Sequence, residues 1–257
     1  MIVGGVLLLA VAAGLGVWHR MLTMRLRAMA GAETVSCADL AELREAAAQA
    51  AGQGAFSHVC EVVGAVQAGE HGPLTAEVSR AECVWHRHVV RRRYRQRTRT
   101  ADGTRTETRT ETVAELTSSQ PFVVRDSSGA VLVDPAGARF DRVEQVVDRF
   151  ERARGGGGLD VSVFGISLSG GDGTVGYEYE EWVLRPGQRV YVLGVASDRT
   201  GVLTMRKPAA GPYIVSTRSE EELVGSARTQ RTLAVTGAAL AAVAGLVLLG
   251  LGLVASA

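Results

Sequence analysis

The chain has 257 residues, a formal net charge of +1 and 21% charged residues, so no global field draws it to nucleic acid or to a strongly charged partner. Its three cysteines, Cys37, Cys60 and Cys83, are odd in number, widely spaced and without a CxxC pair. This excludes a disulfide framework and points to buried thiols in a reducing compartment.

Residues 2–18 (IVGGVLLLAVAAGLGVW) carry no charge, and a run of about 17 apolar residues reaches the lower limit for crossing a bilayer core. Trp18 falls where an interfacial aromatic belongs, and His19, Arg20, Arg25 and Arg27 follow. Only Met1 precedes the run, so the positive leader of a signal peptide is missing and an uncleaved anchor is expected. Residues 19–34 form a juxtamembrane segment in which 21–29 (MLTMRLRAM) is amphipathic and Arg-bearing. Ser36, with Asp39 three residues on, reads as a helix cap. Leu40, Leu43, Ala47 and Ala50 then recur at helical spacing until Gly52 and Gly54, giving a helix over 39–51.

From there the period shifts to two. Strands are expected over 58–66 (HVCEVVGAV), over 83–99 (CVWHRHVVRRRYRQRTR), and over 104–113 after an Asp102-Gly103 turn. A second hairpin lies over 122–133, with Ser128-Gly129 at its turn. Residues 143–152 read as a short helix and 155–158 as a glycine run. Further strands fall over 177–184, 189–196, 203–206 and 213–216, with turns at Pro186-Gly187 and over 198–201. The segments 59–66 (VCEVVGAV) and 190–196 (VYVLGVA) echo each other, each an apolar strand with an internal glycine. Such a glycine marks a bend or a close backbone approach. The fold expected is α+β, predominantly β, barrel- or sandwich-like, flanked by two transmembrane helices.

The second span covers 233–254 (LAVTGAALAAVAGLVLLGLGLV), after a juxtamembrane segment over 224–232 that holds Arg228 and Arg231. Arginine flanks the inner end of each span and neither outer end. The positive-inside rule then sets the middle domain in the cytoplasm of a cell membrane and both termini outside. Gly237, Ala241 and Gly245, and Ala10 and Gly14, place small residues on single helix faces, the spacing that lets two spans pack together. Lys207 is the single lysine, and with the abundance of Ala, Gly and Val this reads as the coding bias of a GC-rich, bacterial genome.

The strongest local signal is the arginine-rich hairpin. With Asp102-Gly103-Thr104 as its loop, Arg99 would face Glu107 and Arg95 would face Glu111, with threonines on the other face. The unmatched end stays basic, and Arg87, Arg91, Arg92 and Arg93 are the candidates for contact with anionic headgroups. Nucleic acid is not expected as a partner, because Tyr94 is the one interleaved aromatic. His86 and His88 share a strand face beside Cys83, with His58 the nearest candidate for a further ligand; this set falls short of a metal site, and no metal or cofactor is assigned. No GxSxG elbow and no GKS or GKT loop occurs, Gly170 to Gly173 precedes no helix, and Glu178, Glu180 and Glu181 read as a solvated strand face. No catalytic residue is assigned.

The segments CVWHRHVV (83–90), PFVVRDSSGAVLVDPAGA (121–138), LRPGQRVYVLGVAS (184–197) and KPAAGPYIVSTRSEEEL (207–223) occur in that order. Together they resemble the GIDE, or beside-a-membrane, domain of membrane-anchored RING ubiquitin ligases, over residues 35–223. The resemblance implies a span–domain–span layout and a membrane-proximal domain that binds protein partners. In the ligases a RING follows the second span and needs about eight Cys and His ligands at fixed spacing. Three scattered cysteines do not supply them. The expected function is therefore a membrane-tethered, non-catalytic interaction domain whose partners are the lipid bilayer and an unidentified protein. The alternative is a component of a ubiquitin-ligase-like system with its RING supplied in trans.

Overall fold

The computed structural model describes residues 2–30, 32–100, 103–153, 161–163, 166–168, 173–218 and 220–254. The glycine run over 155–158 and most of the Gly170–Gly173 loop lie outside them. In chain order the elements are α1 (Ile2–Ala30), β1 (Glu33–Thr34), α2 (Cys37–Ala51), β2 (Ser57–Gln67), β3 (Leu74–Thr75), β4 (Glu82–Cys83), β5 (Trp85–Thr100) and β6 (Gly103–Thr117). There follow β7 (Phe122–Arg125), β8 (Ala130–Val133), β9 (Arg139–Asp141), β10 (Glu144–Arg152), β11 (Val161–Val163) and β12 (Ile166–Leu168). The last are β13 (Thr174–Leu184), β14 (Arg189–Ser197), β15 (Thr204–Arg206), β16 (Ile214–Ser216) and α3 (Glu220–Val254).

The core is a closed five-stranded ring. Its order is β2-β7-β8-β15-β14, with β14 pairing back onto β2. Alternation explains why it closes: Cys60, Val62 and Val66 of β2, Phe122 and Val124 of β7, Val131 and Val133 of β8, Val190 and Val192 of β14, and Met205 of β15 all enter one buried cluster. Closure also removes the edges that an open sheet would expose. The two echoing segments are β2 and β14, paired antiparallel at the seam. A Cβ on Gly64 would lie 2.4 Å from the Arg125 carbonyl oxygen, and one on Gly194 would lie 2.8 Å from the Tyr213 ring. Both glycines therefore mark close approach, as their setting in the sequence suggests.

Helix α2 begins at Cys37, two residues before the expected start, with Ser36 accepting the Asp39 N–H at 3.1 Å. Leu40 is buried, whereas Leu43 is 44% exposed, so the apolar face is narrower than the spacing implied. The helix N-terminus is clamped to the β7–β8 turn by Asp126, which accepts the N–H groups of Cys37, Ser128 and Gly129 at 2.8, 2.7 and 2.8 Å. Burial acts to raise the Asp126 pKa, but these bonds outweigh it and hold the carboxyl far below its ordinary value. Such a group stabilises the fold fully above its unfolded pKa, and that stability is lost as pH falls through the folded pKa. Asp126→Asn is expected to cost about 1–3 kcal/mol near neutral pH. It should also flatten the acid limb below about pH 4, measured by denaturant titration across pH.

Residues 144–152 form strand β10 rather than the expected helix, pairing with β13 from Glu144↔Val183 to Arg152↔Gly176. Val146, Val147 and Phe150 fit a helical spacing as well as a strand, and the open edge of β13 decides between them. The arginine hairpin also differs in register. Thr100 pairs with Gly103, so the loop is 101–102 and Arg99 faces Thr104 instead of Glu107. Gly103, at φ +129°, extends the ladder by conformations other residues avoid.

Helices α1 and α3 contain stretches long and apolar enough to cross a membrane, Val3–Met21 and Thr232–Leu251. Helix α3 runs unbroken through its expected juxtamembrane segment, whereas α1 ends at Ala30 and the last residues of its segment, Glu33–Thr34, form β1. The two lie antiparallel against each other: a Cβ on Gly5 would meet Leu249 at 2.6 Å, one on Gly245 would meet the Gly5 carbonyl at 3.1 Å, and one on Gly237 would meet Leu15 at 3.4 Å. Gly14 has nothing within 4 Å and is not at this contact. Strand β1, after α1, pairs with β2, and β16, before α3, pairs with β14. The two long helices thus join the barrel at strands flanking its seam.

Candidate functional site

The second sheet, β10-β13-β5-β6, presents two chemically different faces. On one, alternation along β5 brings Trp85, Arg87, Val89, Arg91 and Arg93 together, beside Glu178, Glu180 and Trp182 of β13. Trp85 stacks on Phe140 of β9 at 3.7 Å and 12°, which joins this sheet to the barrel. Against that junction lies a groove of about 740 Å³ lined by Trp85, Trp182, Phe140, Arg87, Arg139, Arg142, Glu115 and Gln145 among others. Arg87 is held by Glu115 at 2.7 Å and lies over the Trp182 ring at 5.8 Å. Arg139 and Arg142 are exposed, and neither has an ion pair among the described residues. Arg142 also holds φ at +56°, a left-handed conformation that costs a side-chain-bearing residue energy. The buried indole N–H of Trp85 has no acceptor among the described residues. The groove therefore offers an aromatic floor, two uncompensated guanidinium groups and a spare donor.

The four arginines nominated from the sequence do not share a face. Arg91 pairs with Glu180, and Arg93 with Glu178 at 3.9 Å while lying 4.9 Å over the Phe150 ring. Arg92 points to the opposite face, where it meets Glu111 at 3.1 Å, the Thr174 hydroxyl at 2.9 Å and the Tyr94 ring at 5.0 Å. With Arg87 on Glu115, all four are charge-compensated. Further out, Arg95, Arg97 and Arg99 lie on one exposed face beside Thr108, Thr106 and Thr104. None of these three has an ion pair among the described residues. The corrected register is what reveals them, because the expected pairing gave Arg95 and Arg99 glutamate partners.

On the opposite face of β5, His86 and His88 meet Glu181 of β13, and all three are buried. Glu181 is therefore no part of a solvated face; the segment between β3 and β4 covers it and donates the Val78 and Ser79 N–H groups to its carboxylate, each at 2.8 Å. His58 sits on the barrel strand β2 and is not a member of this cluster. The three cysteines are free and buried at separate places, and burial is the main cause that raises each thiol to about 11.

A closed β-barrel joined to a charged sheet, carried between two long apolar helices, defines a class of mostly β proteins flanked by candidate membrane spans. A family model described as "GIDE: E3 Ubiquitin ligase" matches residues 90–250, from within β5 almost to the end of α3, and the chain belongs to the GIDE family. No curated protein and no solved structure matches it.

Proposed function

We propose that this chain is a membrane-tethered, non-catalytic recruiting domain that takes an acidic segment of a partner protein into the groove between its two sheets. The observation that carries this reading is the lining: Trp85, Trp182 and Phe140 give a flat apolar floor, and Arg139 and Arg142 give cations without an ion pair among the described residues. Aromatic and arginine side chains are the residues that dominate protein interfaces. The two apolar helices act as spans that hold the groove beside the bilayer. The arginine face of Arg95, Arg97 and Arg99 adds a contact with anionic headgroups. Placement of the domain in the cytoplasm of a cell membrane rests on the arginine flanks of both spans.

The test is a photoreactive residue at Gln145 in the full chain in native membranes. A protein adduct is expected that disappears with Trp182→Ala or with Arg139→Glu combined with Arg142→Glu. It should persist with Arg97→Glu, outside the groove. An adduct indifferent to the groove variants would overturn the reading.

The family match favours one second reading, a component of a ubiquitin-ligase-like system. The three thiols of these 257 residues are free and lie apart in the β domain, so in this role a RING comes from outside these residues. Purified chain mixed with activating and conjugating enzymes should then form conjugates only when a RING protein is added.

A further inference from the structure

We infer that His86, His88 and Glu181 form a binding site for a divalent transition-metal ion of the zinc type, set in the sheet beneath the β3–β4 segment. Strand alternation puts His86 and His88 on one face, two residues apart. The antiparallel register sets Glu181 directly opposite His88. One ligand atom from each residue lies within 4.8 Å of the other two, and the residues are 5%, 1% and 0% exposed in that order. Metal–donor bonds of about 2.0–2.2 Å put tetrahedral donors about 3.4 Å apart. Gathering these three around an ion therefore takes side-chain movements of roughly 1 Å and no change of fold.

The donor chemistry fits the ion. Two imidazole nitrogens and a carboxylate oxygen suit zinc and its first-row neighbours. The Val78 and Ser79 N–H groups, each 2.8 Å from a different carboxylate oxygen, together with a Ser79 side-chain bond, fix the orientation of Glu181, and a further lone pair remains for an ion. The Nδ1 atom of His86 is buried with no hydrogen-bond partner among the described residues, a costly state that a metal bond would end. Glu181 has no arginine or lysine ion pair among the described residues. A dication would neutralise this buried carboxylate. Burial lowers the pKa of both imidazoles, against the opposing charges of Glu181 and Glu77. Burial acts to raise the Glu181 pKa, and the bonds from Ser79 and Val78 outweigh it and keep the group ionised. Glu77 acts electrostatically on both imidazoles but lies outside the cluster of ligand atoms. The ion would tie the β3–β4 segment to β5 and β13, directly behind Trp182 and Arg87 of the groove.

The test uses the full chain in detergent micelles. After dialysis, zinc content is measured by mass spectrometry and Co(II) is titrated in while visible d–d absorption is followed. One equivalent of zinc and a saturating tetrahedral cobalt spectrum are expected, with at least tenfold weaker cobalt binding in His88→Gln and Glu181→Gln. Chelator should lower the Tm of the unaltered chain, and zinc should restore it, a readout that needs no variant. Background metal content with a Tm indifferent to chelator and zinc would overturn the site, as would cobalt binding unchanged in both variants.

Discussion

Replacing Gly64 with alanine is expected to destabilise the barrel by about 3 kcal/mol, the upper range for an atom forced into a packed site. The reason is geometric. The new Cβ would lie 2.4 Å from the Arg125 carbonyl oxygen and 2.7 Å from its carbon, and both belong to the backbone of β7. A side chain can turn aside, but this strand cannot without giving up its ladder with β2, Ala65↔Arg125 to Gln67↔Val123. In a closed ring that loss opens the barrel. Gly194→Ala should cost less, because its first obstacle is the Tyr213 ring at 2.8 Å. That ring is nevertheless pinned, its hydroxyl donating to the Asp134 and Met205 carbonyls at 2.5 and 3.0 Å. Gly187→Ala has open space around it and a φ of +81°, so only a backbone penalty of about 1 kcal/mol is expected. For a domain of this size each kcal/mol moves Tm by about 2–4 °C. The measurement is thermal unfolding of the full chain in detergent by near-ultraviolet circular dichroism. A Gly64→Ala protein as stable as Gly187→Ala would show that the β2–β7 approach, and with it the closed ring, is wrong.

These glycines also show what was legible in the sequence. The echo of β2 and β14, each an apolar strand with an interior glycine, is a local pattern, but their pairing at the seam joins segments distant in the chain and is not readable from it. The apolar helices, the Ser36 cap and the β7–β8 hairpin were readable because each is decided by neighbours in sequence. What was not readable depends on partners distant in the chain. Residues 144–152 carry a pattern that suits either a helix or a strand, and only the edge of β13 settles it. The hairpin register turns on whether Gly103 belongs to the loop or to the ladder, and a shift of three residues reassigns every charge pair. Glu181 looked like one of three solvated glutamates until the β3–β4 segment was folded over it. The groove was invisible for a related cause, since Phe140 and Trp85 are 55 residues apart in sequence and meet only where the two sheets join.

The second large effect is expected at the tip of that hairpin. The ribbon from Tyr94 to Thr100, paired with Gly103 to Arg109, projects about 20 Å at the usual rise per strand residue, far enough to lie along a surface beside the domain. Its arginine face carries Arg95, Arg97 and Arg99, flanked by threonines that impose no counter-charge. Each arginine near an anionic leaflet contributes about 1 kcal/mol. Replacing the three with glutamine should therefore shift the balance between surface-laid and free ribbon by about 3 kcal/mol, roughly a hundredfold. The inner arginines give no such effect, because Glu115, Glu180, Glu111 and Glu178 already occupy them. A single cysteine at Thr106 reports on this face without interference, since the native thiols are buried and their pKa values stand at about 11. With a fluorophore there and the full chain in lipid nanodiscs, phosphatidylserine should shield the probe from an aqueous quencher, and phosphatidylcholine alone should not. Shielding should vanish in the triple variant, and also at 1 M salt, where screening contracts to about 3 Å. Equal quenching in the two lipids would remove the headgroup contact and leave the groove as the domain's one docking surface.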